Sequence, residues 1–177
     1  KNGHRVTVLE KEHQPGGCLQ CFHRGGVKFE TGMHFVGSAA PGQALDRLLR
    51  YLEIKDRVQL SPLDKEGYEV VSLEGRHYRL ANGREAFIKE LSASFPSSVD
   101  ELNRYYDLIE RMAHASSLHN LSTLPIDDVL TASYLLRSID EVMNEIVRDE
   151  QLRNVLMGTL PLYAAEWGKT PFSVHAF

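Results

Sequence analysis

Through residue 80, hydrophobic residues cluster in short strand-like runs, apart from one segment with helical spacing at residues 41–53, and afterwards most of the chain follows helical spacing. Residues 5–10 form a short, β-branched and nearly apolar run without alternation, a pattern typical of a buried parallel strand. The residues just before it resemble a helix end, with Gly3 in the left-handed conformation. The pattern predicts an α/β fold whose later part is rich in helices.

Two pairs of strand-like runs are separated by short turns that contain glycine, and each pair predicts a β-hairpin. The turns are Gly25-Gly26 and Glu74-Gly75. The flanking runs are residues 19–23 and 27–30 for the first turn, and residues 68–73 and 76–80 for the second. In the second hairpin, Tyr78 and Leu80 share one face, as residues of a half-buried strand do.

Apolar residues recur every three or four positions in several later segments, which predicts amphipathic helices. These segments are residues 41–53 with a stripe of four leucines, 84–95, 98–116, 138–146, and a last one after residue 149. In the third, residues 99, 102, 106, 109 and 112 form the predicted inner face. The most linker-like stretch is residues 120–125.

Two of these helices begin with the signature of a capping box, a serine followed three positions later by glutamate. The pairs are Ser98 with Glu101 and Ser138 with Glu141. Asp149 is the predicted cap of the last helix. These signals fix where the helices of the second half are expected to begin.

Candidate chemistry starts at the end of the predicted first strand. A carboxylate at that place, here Glu10, suits the ribose hydroxyls of an adenine dinucleotide, although a charged strand end is the plain alternative. Six residues later, Gly16 and Gly17 would let backbone amides approach an anionic pyrophosphate. The glycine-rich phosphate loop of such a unit lies about 20 residues before the acidic residue. That position precedes Lys1, so we expect the chain to be an internal piece of a longer protein.

Three runs together resemble a known family: Val-Thr-Val-Leu-Glu-Lys, then Pro-Gly-Gly-Cys, then Phe-Glu-Thr-Gly-Met-His, ending at His34. They are similar to the FAD-binding start of the phytoene desaturase and retinol saturase group, flavin-dependent oxidoreductases in the wider amine-oxidase-like superfamily. The segment LMGTLPLYAAEWGKTPFSVHAF, residues 156–177, is similar to the part of that family that leads back toward the flavin. The resemblance covers essentially the whole chain.

The resemblance implies a partial Rossmann-like FAD-binding domain in residues 1–40 and a partial, mostly helical substrate domain in residues 41–177. It implies that FAD is the cofactor and that the chain alone is inactive, because the phosphate loop and the carboxyl-terminal flavin segment would lie outside it. A structural histidine is the alternative to a flavin or substrate contact for His34. The cofactor-binding residues implied are Glu10, Lys11, Gly16, Gly17, Cys18, Thr31, Gly32, Met33 and His34.

The function implied is saturation, desaturation or isomerisation of a carbon–carbon double bond in an apolar, polyene-like small molecule, by hydride transfer with flavin. No catalytic side chain is assigned, since the cofactor carries the difficult step. Two alternatives stay open: a non-catalytic remnant or interaction domain that keeps the scaffold, and an amine-oxidase-like flavoenzyme. The preference for a polyene rests on the resemblance.

Composition and net charge limit the classes of partner that the chain is expected to bind. The chain has 20 Lys and Arg against 24 Asp and Glu, a formal net charge of −4, which argues against a nucleic-acid partner. No apolar run approaches the ~20 residues that span a bilayer, so we expect membrane association to be at most peripheral. Two cysteines fit a cytoplasmic protein. Unpaired strand edges would allow a homodimer.

Cys18 and Cys21 form a C-x-x-C motif. A redox pair of the thioredoxin type would need a preceding strand and a following helix, and zinc would need two further ligands at suitable spacing. The flanking sequence offers neither pattern. We therefore predict no metal site, and the resemblance places Cys18 near the pyrophosphate or the flavin edge.

Overall fold

The computed structural model of the chain describes residues 2–33, 35–116, 121 and 128–177. They form helices and two small antiparallel sheets, so the predicted mixture of α and β structure is confirmed. The chain divides into two compact units, Lys1–Gln59 and Leu60–Phe177. The functional boundary after residue 40 stays a prediction, because compactness alone does not say which residues hold a cofactor.

The first unit contains the first predicted hairpin. β1 (Cys21–Arg24) and β2 (Val27–Glu30) pair antiparallel in a two-stranded sheet. Gly25 and Gly26 between them have φ of 58° and 80°. Two successive left-handed residues are what a type I′ turn requires, and glycine adopts that conformation without steric cost.

The strand predicted at residues 5–10 is wrong. In the structure these residues form no strand, and Val6, Val8 and Leu9 are 78%, 82% and 91% exposed. A parallel strand gains its hydrogen bonds and its burial from neighbouring strands, and the described part of this unit supplies no parallel neighbour. Gly3 does adopt the predicted left-handed conformation, with φ of 79°.

The leucine-rich helix exists but buries less than its pattern predicts. α1 covers Ala44–Tyr51, and is shorter than predicted at both ends. Of its apolar stripe, Leu49 is buried, whereas Leu48 and Leu52 are 42% and 50% exposed. The prediction that the whole stripe faces a core is therefore wrong for this unit, because its described residues place too few apolar side chains against the helix.

A carboxylate fixes the start of α1. Asp46 accepts hydrogen bonds from the Gly42 amide and from Arg50 Nε, both at 2.9 Å, and its other oxygen lies 3.4 Å from Lys55 Nζ. The Gly42 amide contributes most to lowering the pKa of Asp46 to about 2, and Arg50 adds to it. A negative charge in the first turn also interacts favourably with the helix dipole.

The second unit contains the second hairpin, as predicted. β3 (Glu69–Leu73) and β4 (Arg76–Leu80) pair antiparallel across a two-residue turn. Tyr78 and Leu80 are buried, while the residues between and beside them on β4 are exposed. The alternation predicted for this strand is therefore confirmed, and its inner face joins the core of the unit.

Helices make up most of the second unit. In the described part they are α2 (Arg84–Ser94), α3 (Val99–Ala115), α4 (Asp128–Leu135), α5 (Ile139–Ile146), α6 (Glu150–Leu156) and α7 (Phe172–Ala176). Their apolar faces pack with the hairpin into one core, in which Leu102, Met143 and Phe172 are completely buried. The predicted linker at residues 120–125 lies, apart from Leu121, outside the described residues.

The inner face of α3 differs in part from the predicted one. Tyr105 and Leu108 are buried, Tyr106 and Ile109 pack at the edge of the core, and Val99 is 37% exposed. The buried face of α3 is thus rotated about the helix axis, by about one residue, from the predicted face. Tyr105 consequently lies inside the unit and is only 8% exposed.

The capping box predicted at Ser98 is wrong. The Ser98 side chain makes no capping bond, because a short 3₁₀ turn, Pro96–Ser98, runs directly into α3. Glu101 instead accepts hydrogen bonds from the amides of Arg148 and Asp149, at 3.1 and 3.5 Å. A tertiary contact has replaced the local one.

The other two predicted caps are confirmed. Ser138 Oγ accepts from the Glu141 amide at 3.2 Å, and the Glu141 carboxylate accepts from the Ser138 amide at 3.0 Å. Asp149 accepts from the Leu152 amide at 2.9 Å at the start of α6. Each bond satisfies an amide that a helix start leaves without an intrahelical acceptor.

Candidate functional site

The predicted pyrophosphate residues Gly16, Gly17 and Cys18 form an exposed turn, here called the glycine turn. Gly16 and Gly17 have φ of 124° and 54°, and two backbone hydrogen bonds of 2.9 and 3.1 Å close the turn. No hydrogen bond found among the described residues uses the amides of Gly17 or Cys18. Neighbouring backbone amides that a turn leaves free are suited to bind an anion.

Thr31 and Gly32 hold the glycine turn from the far end of the hairpin. Thr31 Oγ1 lies 3.0 Å from the Cys18 carbonyl oxygen and 2.6 Å from that of Gln20, and the Thr31 amide donates to the same Gln20 oxygen at 3.3 Å. A Cβ atom on Gly32 would lie only 3.2 Å from the Cys18 carbonyl oxygen. The structure thus brings three predicted site residues, Cys18, Thr31 and Gly32, into contact.

Glu10 and Lys11 lie in the exposed segment before the turn. Glu10 Oε1 accepts a hydrogen bond from the Glu12 amide at 2.8 Å, and Lys11 Nζ lies 4.0 Å from the Glu12 carboxylate. Among the described residues, no hydrogen bond or ion pair links Glu10 or Lys11 to the glycine turn. Their contact with a cofactor stays a prediction.

The last two predicted flavin contacts follow Gly32. Met33 is 37% exposed and lies beyond the end of β2. His34 lies outside the described residues, so its role stays a prediction.

The C-x-x-C motif carries two free thiols, an exposed Cys18 and a partly buried Cys21. Cys21 Sγ donates to a Glu30 carboxylate oxygen at 2.9 Å, and this hydrogen bond is the main reason why the pKa of Cys21 is raised, against the opposing effect of Lys28. A thiol with a raised pKa is a weak nucleophile and a poor metal ligand at neutral pH. In the described ranges, no group of three or more metal-binding side chains comes together.

The face of the hairpin opposite to the one that carries Cys21 and Glu30 is aromatic. The rings of Phe22 and Phe29 stack across the two strands, 5.2 Å apart between centroids, and both side chains are more than two-fifths exposed. The hairpin therefore has one apolar face and one polar face. Such a face suits contact with an apolar ring or chain.

A second polar cluster lies in the second unit, where sequence reasoning assigned nothing. His175 Nε2 lies 2.9 Å from the Tyr105 hydroxyl, and His175 Nδ1 lies 2.8 Å from the Tyr163 hydroxyl. Burial lowers the pKa of His175 to about 4, so the imidazole is neutral at pH 7. Tyr105 is 70 residues away in sequence and on another helix, which is why no local motif could indicate the cluster.

Comparison with known proteins identifies the family. Residues 1–167 match the family described as flavin containing amine oxidoreductase. The chain belongs to this family. The resemblance to flavin-dependent oxidoreductases predicted from the motifs of residues 6–34 is thereby confirmed.

Curated relatives of the chain include enzymes named for retinol and for prolycopene. The chain is 28% identical over 194 residues to the all-trans-retinol 13,14-reductase of Rattus norvegicus, and 28% identical over 195 residues to that of Homo sapiens. Each alignment covers 99% of this chain and 32% of the relative. Prolycopene isomerase 1, chloroplastic, of an Oncidium hybrid cultivar is 23% identical over 163 residues, which is 85% of this chain and 28% of the relative.

The chain thus spans about a third of the length of the curated retinol reductases that it matches. No solved structure matches it. Within the residues that the structure describes, no helix is both long enough and apolar enough to cross a membrane.

Proposed function

We propose that the chain is part of an FAD-dependent oxidoreductase that acts on a carbon–carbon double bond of an apolar, polyene-like substrate. The contact of Thr31 with the glycine turn carries the proposal. It joins two motifs that are 13 residues apart into one exposed unit with free amides. Family membership supports flavin as the cofactor, and the names of the curated relatives, a retinol reductase and a prolycopene isomerase, support a polyene.

In this proposal, residues 1–40 are part of a Rossmann-like FAD-binding domain. The amides of Gly17 and Cys18 bind the pyrophosphate, and the Glu10 carboxylate accepts hydrogen bonds from the ribose hydroxyls. Gly16 is required because its φ of 124° excludes a side chain. The further residues assigned to the cofactor are Lys11, Thr31, Gly32, Met33 and His34.

The donor set fits this assignment. Free amides complement a pyrophosphate, and a carboxylate complements a diol. When bound, FAD supplies hydride-transfer chemistry, which needs no nucleophile from the protein. The chain would bind and orient the cofactor through the glycine turn, keep Thr31 as the brace of that turn, and offer Phe22 and Phe29 as an apolar surface. Residues 41–177 would contribute part of a mostly helical substrate domain.

Two alternatives differ in their support. An amine-oxidase-like activity is the weaker one, because the curated relatives are named for retinol and prolycopene. A non-catalytic remnant would keep the fold without binding flavin, so cofactor titration separates it from an enzyme. A cytoplasmic location and a homodimer stay predictions.

The test is a titration of FAD into the chain, in which binding is measured by the quenching of flavin fluorescence. The decisive variant is Gly16→Ala, because a Cβ at φ of 124° forces the glycine turn to change. We expect it to weaken FAD binding at least tenfold. Gly168→Ala is the matched control, since Gly168 has no positive φ and open space where the Cβ would be. A wild-type chain that leaves FAD fluorescence unchanged into the millimolar range would contradict the proposal.

A further inference from the structure

The second unit contains a hydrogen-bonded chain, Tyr105–His175–Tyr163, that the proposed function does not use. We propose that Tyr163, oriented by His175, donates a hydrogen bond to the neutral oxygen at the polar end of an otherwise apolar ligand. The inference rests on the proposed function and narrows its substrate class to polyenes that carry a hydroxyl or carbonyl group.

His175 can donate only one proton to its two neighbours. Both of its ring nitrogens have partners, at 2.9 Å to Tyr105 and at 2.8 Å to Tyr163. The imidazole is neutral at pH 7, because burial lowers the pKa of His175 to about 4. A neutral imidazole has one N–H and one acceptor nitrogen. One tyrosine therefore donates to the ring, and the other accepts from it.

Tyr105 is the tyrosine that donates a hydrogen bond to His175. Tyr105 is 8% exposed, burial raises its pKa, and in the described part of the chain its hydroxyl has no hydrogen-bond partner except His175. If Tyr105 accepted from the ring, its own O–H would be a buried donor without an acceptor, which is costly. Tyr105 therefore donates to Nε2. The Nδ1–H then donates to the Tyr163 oxygen.

Tyr163 keeps a hydroxyl proton that no neighbour uses. Burial is the main cause that raises the pKa of Tyr163, so the phenol keeps its proton at pH 7. The Tyr163 oxygen accepts from His175 Nδ1, and no acceptor for its own O–H is found among the described residues. Its O–H remains available, and the residue is 39% exposed. The result is an accessible donor whose oxygen is held in place by the hydrogen bond from His175.

The surroundings define the ligand that such a donor fits. Within residues 160–177, four further large apolar side chains are between 43% and 47% exposed: Leu162, Trp167, Val174 and Phe177. The charged groups of this segment, Lys169 and Glu166, pair with each other at 2.6 Å. A neutral donor in a segment that is rich in exposed apolar side chains, and whose lysine is already paired, favours an alcohol or carbonyl oxygen over a carboxylate.

The chain contains a built-in reporter for this test. Trp167 is its single tryptophan, and it lies four residues after Tyr163. Two probes are titrated into the chain, all-trans-retinol and the hydrocarbon that lacks only the hydroxyl group, and quenching of Trp167 fluorescence is followed. We expect wild type to bind the alcohol about fivefold more tightly, the value of one neutral hydrogen bond.

Variants separate the oriented donor from general packing. Tyr163→Phe is expected to abolish the preference for the alcohol and to leave binding of the hydrocarbon unchanged. His175→Phe should also reduce the preference, because Tyr163 loses the group that orients it. General damage to the fold would weaken the binding of both probes equally and leave the ratio of their affinities unchanged. Tyr106→Phe, on the same helix as Tyr105, is the control and should keep the preference.

Three results would overturn the inference: equal affinity of wild type for the two probes, a Tyr163→Phe variant that keeps the preference, or the absence of quenching by either probe. None of these three results changes the expected outcome of the FAD titration. Failure of the hydroxyl-recognition site is therefore distinguishable from failure of the proposed flavoenzyme function.

Discussion

The hydroxyl oxygen of Thr31 lies 3.0 Å from the carbonyl oxygen of Cys18, so the end of the hairpin is bonded to the turn that precedes it. The same hydroxyl lies 2.6 Å from the carbonyl oxygen of Gln20. These contacts fix the glycine turn from outside, since the turn itself is closed by only two backbone bonds. Thr31 is therefore a positioning residue for the proposed pyrophosphate site.

Thr31→Val is expected to weaken FAD binding about fivefold, since it removes one hydrogen bond while keeping a β-branched side chain of nearly the same shape. The measurement is the FAD titration described above. Thr7→Val is the matched control, because Thr7 is exposed and lies outside the glycine turn. Equal dissociation constants for Thr31→Val and wild type would show that the hairpin does not brace the site.

The two serines that begin helices should respond differently to alanine. Ser138→Ala removes a bond of 3.2 Å to the Glu141 amide and should lower the free energy of unfolding by about 1 kcal/mol. Ser98→Ala should change it by less than about 0.5 kcal/mol, because the Ser98 side chain makes no capping bond. Urea unfolding measures both values. A loss for Ser98→Ala as large as that for Ser138→Ala would mean that Ser98 caps α3 in solution.

The features that local sequence predicts are those that neighbouring residues determine. The Gly25-Gly26 turn needs only two residues that accept positive φ, and the Ser138 cap needs only a serine and a glutamate in one helical turn. Glu101 carries the same signature as Glu141, yet it bonds the amides of Arg148 and Asp149, 47 and 48 residues further on. No local pattern could indicate that competing contact.

The candidate site shows the same division. The glycine turn is recognisable in the sequence because adjacent glycines determine the conformation of their own backbone. Its contact with Thr31 joins residues that are far apart in sequence, so only the structure shows it. The strand predicted at residues 5–10 failed because a parallel strand depends on partners elsewhere, and its apolar run alone cannot supply them. The His175 cluster joins α3, α7 and the turn that contains Tyr163, so no spacing in the sequence indicates it.

Gly158 is expected to be the least tolerant position of the second unit to a small enlargement. A Cβ there would lie 2.6 Å from both methyl groups of Val71, and Gly158 has no positive φ that would add backbone strain. Gly158→Ala should therefore lower the free energy of unfolding by about 1–3 kcal/mol through overpacking. Urea denaturation followed by far-ultraviolet circular dichroism measures the change.

Val71→Ala provides the check on the cause of that loss. If the clash is with the Val71 methyl groups, the double variant should lose less stability than the two single variants added together. Gly168→Ala, where the added Cβ meets no atom within 4 Å, should be nearly neutral. Strict additivity of Gly158→Ala and Val71→Ala would place the strain elsewhere.

Acid should destabilise the second unit through His175. The pKa of this histidine is lowered by burial from 6.5 to about 4, so between these values the unfolded chain binds more protons than the folded one. The stabilisation is complete above pH 6.5 and is lost as pH falls toward 4, by roughly 3 kcal/mol at most. Protonation would also turn both ring nitrogens into donors, which Tyr105, as a donor to Nε2, cannot accommodate.

The measurement is urea unfolding at pH 7 and at pH 4.5 for wild type and His175→Phe. The variant cannot take up the proton, so we expect it to lose markedly less stability between the two pH values than wild type does. His77→Gln is the control, because His77 is exposed on β4 and bonded only to the neighbouring strand through Ser72. If His175→Phe and wild type lost the same stability on acidification, the neutral, buried state of His175 would be wrong, and with it the donor direction assigned to Tyr163.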